Sequence, residues 1–212
     1  MKKEKLIAAY IDFVLSNGRE PHSVYELTKS IKKEEADFYT VANSIQQLRK
    51  EILVEYANKT LSDLDADKDY ETFSSREKLL ALFFTLFENF KQNRSYLIEK
   101  YQKIEVKDLG NAKSDWNLFF NQFQARAEAI LAEGKNTEEI KDRPYIGEHY
   151  AKGFKIVFTY VFRVWLKDES SEFSTTDAAI EKSVNLAFDM LGQSPLDSLI
   201  DFGKFALKTK VM

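Results

Sequence analysis

Apolar residues recur at intervals of three and four along almost the whole chain, and no stretch sustains the alternation of a half-buried strand. That period points to packed helices. Seven Gly and three Pro in 212 residues leave few breaks, and these fall between periodic segments: Gly18 with Pro21, Gly110, Gly134, Pro144 with Gly147, and Gly192 with Pro195. The spacing predicts helices near 3–17, 24–31, 35–41, 44–65, 75–91, 94–106, 113–133, 147–167, 174–191 and 196–209. Ser23 stands where it would cap the second helix, and Ser194 with Pro195 where they would open the last. The acidic run over 61–75 reads as a connection between a head and a body, and 133–145 as a long exposed loop.

Composition removes several functional classes. A hydrophobic fraction of 44%, with 17 Phe and 10 Tyr, supports a substantial core. Cysteine is absent, which excludes disulfides and thiolate chemistry, and His22 and His149 are too few and too far apart for a His-rich metal site. With neither a signal peptide nor an 18-residue apolar run, a soluble cytoplasmic protein is expected. Asp63, Asp65, Asp67 and Asp69 alternate like a calcium loop but lack its Gly and closing Glu, so they read as a solvated linker. No phosphate loop, nucleophile elbow or histidine–carboxylate motif occurs. No catalytic residue, metal or cofactor is therefore expected, and the chain does not read as an enzyme.

The first 60 residues carry the most specific pattern. Leu6, Ala9, Phe13 and Val14 form an apolar face ending at Gly18, and Val24, Leu27 and Ile31 form a second, shorter one. Glu34, Glu35, Asp37, Phe38 and Tyr39 then fall where the recognition helix of a helix-turn-helix would stand. The region holds ten Lys or Arg against nine Asp or Glu, whereas a DNA-binding head is usually clearly basic because phosphate contacts release counterions. The three acids read first as caps of a helix N-terminus. Lys32, Lys33, Tyr39, Ser44, Arg49 and Lys50 are the candidates for DNA contact.

From Leu6 to Leu48 the chain resembles the TetR-type transcriptional regulators. Gly18 matches the first helix stop, Leu27 the core of helix two, Tyr39 the close of the recognition helix, and Ser44 and Leu48 the start of helix four. Lys32 replaces the family's turn Gly, Glu34 its capping Ser, Ala42 its Phe and Ile45 its phosphate-binding Lys, while Ala36 occupies the position of close backbone approach. The resemblance implies an all-α fold: a three-helix head over 1–50 and a ligand-binding and dimerisation body over 51–212. It also implies a homodimer pairing the helices near 147–167 and 174–191 into a four-helix interface, and a small apolar effector.

Residues 150–190 resemble, in addition, the C-terminal helix pair of the lipid-binding ubiquinone-biosynthesis proteins that share this fold. The shared features are Tyr150, Lys152, Trp165 and the turn at Asp168 and Ser170. Those proteins lack DNA binding and hold an isoprenoid lipid, so a lipid carrier is the alternative function. The helix at 196–209 has one narrow polar stripe of Asp197, Asp201, Lys204 and Lys208, and would dock on the body or on a partner, or touch a membrane surface. Phe83, Phe87, Tyr101, Trp116, Phe120, Phe123, Phe158 and Phe162 are the candidate ligand-lining rings, although an aromatic stripe at helical spacing also suits plain core. Arg126, Glu128 and Arg163 are the accompanying polar groups.

Overall fold

The structure is a computed structural model that describes residues 1–103, 114–141, 150–192, 202–206 and 208–209. Helices α1 (Lys3–Asn17), α2 (Val24–Ser30) and α3 (Glu35–Tyr39) form the head, and α4 (Ile45–Ala66) leads out of it. The body comprises α5 (Ser75–Lys91), α6 (Arg94–Tyr101), α7 (Asn117–Asn136), α8 (Tyr150–Leu166) and α9 (Ser174–Leu191). Residues 202–206 are helical as well.

Local chemistry sets most helix ends. Gly18, at φ +62°, closes α1 with its N–H donated to the Val14 carbonyl at 2.9 Å, a conformation that a residue without Cβ adopts at little cost. Ser23 accepts from the Glu26 N–H at the start of α2, and Ser44 from the Gln47 N–H at the start of α4, both at 3.1 Å. At α5, Ser74 and Glu77 form a reciprocal capping box.

Packing decides where the sequence pattern is ambiguous. The acidic run at 61–75 is not wholly a linker: α4 continues to Ala66 because Leu64 is buried, and Tyr70 tucks into the core from a 3-10 turn. Gly134 reads from the sequence as a helix break, yet α7 runs through it to Asn136. A Cβ there would stand 2.7 Å from Cδ1 of Ile140 and 3.0 Å from Cβ of Ser75, so the residue permits close approach of Ile140 and of α5 instead. The Ser194 cap lies outside the described residues. In the last helix, Phe202 is 67% and Phe205 63% exposed, so neither is covered by the body. Among the described residues no helix is long and apolar enough to cross a membrane.

A single buried cluster runs from Leu6 and Tyr10 in α1, through Leu48 and Tyr56 in α4, to Phe158 and Trp165 in α8. The expected boundary at residue 50 falls within α4, so one helix belongs to both head and body. Burial of apolar surface on both sides fixes its position.

Candidate functional site

The bend between α2 and α3 is made by hydrogen bonding at the end of α2. Lys32 N–H donates to the Lys29 carbonyl at 3.1 Å, and Lys33 N–H to the Thr28 carbonyl at 2.9 Å, which together make a Schellman motif. The motif needs a left-handed residue at its centre, and Lys32 supplies it at φ +54°. A lysine there is strained, by about 1 kcal/mol, where glycine would not be. The turn forms nonetheless, because Leu27 and Phe38 are fully buried on either side of it.

The acids at the start of α3 are partly explained by capping. The Asp37 carboxylate accepts the Glu34 N–H at 3.4 Å, and the Glu34 carboxylate returns the interaction to the third residue of α3. Other head acids are drawn into ion pairs: Glu26 with Arg19, and Glu51 and Glu55 with Lys3. Lys32, Lys33 and Lys50 enter no ion pair among the described residues, and Lys32 and Lys33 are exposed. Tyr39 is half exposed and edge-on to Phe38. Ser44, the remaining small candidate, caps α4.

Arg49 points the other way. Its Nε donates to Asp115 at 2.7 Å and its guanidinium to both Glu20 oxygens at 3.0 and 3.1 Å. Lys100 Nζ and the Tyr10 hydroxyl also donate to Glu20, at 2.5 and 2.7 Å. Burial opposes ionisation of Glu20, but these donors outweigh it and hold its carboxyl below the ordinary range. The cluster thereby ties the α1–α2 loop and α4 to α6 and to Asp115, two residues ahead of α7. Sequence spacing could not find it, since its members lie up to 105 residues apart, from Tyr10 to Asp115.

All eight candidate ligand rings are buried, and they pack on one another. Phe158 lies 5.1 Å from Phe120, 5.5 Å from Trp116 and Phe162, 5.8 Å from Phe123 and 5.9 Å from Phe87, centroid to centroid. Phe83 stands edge-on to Phe123, and Tyr101 to Trp116. Beside Phe123 opens a crevice of about 10 Å³, and Phe87 borders a cleft of about 380 Å³. Arg126 pairs with Asp65, Glu128 accepts from Gln124, and Arg163 lines an outer groove of α8.

The outer surfaces of α8 and α9 carry exposed apolar side chains: Ile156 and Tyr160 on α8, Leu186 and Met190 on α9. Between the two helices runs a groove of about 230 Å³ that includes Gly153, Val157, Ala187 and Met190. Patches of this kind on a folded chain mark contact surfaces.

A short-helix head joined through one long helix to an α-helical body defines a TetR-like architecture. Residues 78–206 match the family model described as tetracyclin repressor-like, C-terminal domain, and the chain belongs to that family. Comparison with curated proteins and with solved structures finds no match.

Proposed function

We propose that the protein is a ligand-responsive transcriptional regulator that binds DNA through the α2–α3 turn as a homodimer paired by α8 and α9. The observation that carries this reading is the Schellman turn at Lys32 and Lys33. It keeps the helix-turn-helix bend despite an unfavourable residue, and Lys32, Lys33 and Tyr39 around it are exposed. Glu26 and Glu51 are paired with Arg19 and Lys3, so neither stands as an uncompensated charge against phosphate. The exposed apolar side chains of α8 and α9 support self-association, since a two-fold axis would set each such face against its copy. Close packing of the candidate rings on one another leaves little room among them for an apolar molecule, so an effector, like a carried lipid, would have to sit outside that cluster.

Fluorescence polarisation with the DNA upstream of the protein's own gene tests the reading. Affinity is expected to fall as salt rises, with the log–log slope losing roughly 0.9 per phosphate contact removed. Lys32→Gln with Lys33→Gln removes two contacts from each protomer, four per dimer, and should reduce that slope by about 3.6. Absence of salt-dependent binding at low ionic strength overturns it.

A further inference from the structure

Past α9 the chain carries an amphipathic turn that its own body leaves uncovered. Residues 202–206 are helical, and the Thr209 N–H donates to the Phe205 carbonyl at 3.0 Å. At helical spacing Phe202 and Phe205 share one face and Lys204 and Lys208 the opposite one, and all four side chains are exposed. Two neighbouring rings with a cationic back are a face made for apolar contact.

The groove between α8 and α9 is open at the same time. Gly153, Phe154 and Val157 line it from α8, and Ala187, Met190 and Leu191 from α9, with no charged side chain among its lining residues. No heavy atom lies within 4 Å of where a Cβ on Gly153 would stand, so the glycine opens a notch in α8. Met190 belongs both to this groove and to the exposed apolar face assigned above to self-association. A copy paired on Ile156, Tyr160 and Leu186 therefore stands beside the groove. Nine residues, 193–201, separate Gly192 from Phe202 and can span up to ~30 Å. That reach exceeds the roughly 8 to 10 Å between the axes of packed helices. Within one chain the rings and the groove are left open together, so the match between them is made between copies.

We propose that the two copies exchange arms: each last helix seats Phe202 and Phe205 in the α8–α9 groove of the other chain, with Lys204 and Lys208 left in solvent. A two-fold axis makes the exchange reciprocal, so both grooves close at once. The inference rests on the homodimer of the reading above and not on DNA binding.

Because the chain has no cysteine, a pair of introduced ones reports without background. Light and heavy-isotope-labelled full chains, each carrying Met190→Cys and Phe205→Cys, are mixed, allowed to exchange subunits, oxidised and digested for mass spectrometry. A disulfide joining positions 190 and 205 is expected, with about half of the linked peptides carrying one light and one heavy partner. Adding Gly153→Glu puts a charge in the notch and should cut the yield of that disulfide at least about tenfold with an unchanged thermal melt. Same-label peptides alone would place the arm in its own groove and overturn the proposal, as would an undiminished yield with Gly153→Glu. Absence of the disulfide overturns it too, and flotation with phosphatidylglycerol vesicles would then name a membrane as the occupant. Sedimentation separates the two readings: a dimer without the disulfide sinks the exchange alone, whereas a monomer sinks the homodimer with it.

Discussion

Asp168 holds the junction between α8 and α9, and its removal has a calculable cost. Its carboxylate accepts from the Ser170 N–H at 2.9 Å, the Ser170 hydroxyl at 2.6 Å, the Thr176 N–H at 2.8 Å and the Thr176 hydroxyl at 2.5 Å. Burial alone would disfavour the charge, but the donors from Ser170 and Thr176 prevail and bring the carboxyl from an ordinary 3.8 down to about 2. Each tenfold fall in proton affinity on folding corresponds to about 1.4 kcal/mol, so the ionised group contributes about 2 kcal/mol to folding at neutral pH. Because the folded pKa is depressed, that contribution is complete above about pH 4 and fades as pH falls towards 2. Asp168→Asn keeps the shape and one acceptor but loses the charge. Urea denaturation at fixed protein concentration should show the variant about 2 kcal/mol less stable at pH 7, with the gap narrowing at pH 3. A gap below about 0.5 kcal/mol at pH 7, or the same gap at both pH values, would refute the reasoning.

Lys32→Gly relieves a left-handed lysine and should stabilise the protein by about 1 kcal/mol in the same assay; a loss of stability would show that the lysine side chain holds the turn. Phe158→Ala removes a fully buried ring from the centre of the aromatic cluster and should cost about 4 kcal/mol, read as a lower urea midpoint. Arg49→Met leaves Glu20 and Asp115 short of a partner, and a loss of about 2 kcal/mol is expected. Leu186→Glu on the exposed face of α9 should shift sedimentation from dimer to monomer while the circular dichroism spectrum stays helical; an unchanged dimer moves the interface elsewhere.

Much of the frame was legible in the order of residues because helix period and capping are local. The ranges for α1, α5 and α9 agree with the sequence reading at both ends, since Gly18, the Ser74–Glu77 box and Gly192 mark their limits within a turn. Leu27 and Phe38 show their burial in the same pattern, and the capping role of Glu34 and Asp37 follows from their position before and within α3. The aromatic stripes on α5, α7 and α8 announced a ring-rich interior, and the match over 78–206 agrees with the family implied by the head.

Whether those rings meet each other or enclose a space depends on helix spacing across residues as distant as Phe87 and Phe158, and no local pattern encodes that distance. The same holds for Arg49. Its type and place suit a phosphate contact, but only the approach of Glu20 and Asp115 turns it inward. Lys32 marks the boundary between the two levels: local preference disfavours a left-handed lysine by about 1 kcal/mol, and the packing of Leu27 and Phe38 around the turn outweighs it. Sequence by itself therefore determined the helices and their apolar faces through short-range sterics and hydrogen bonding. Tertiary structure alone decided which charges are paired, which rings are core and which cleft stays open, because those outcomes depend on long-range burial.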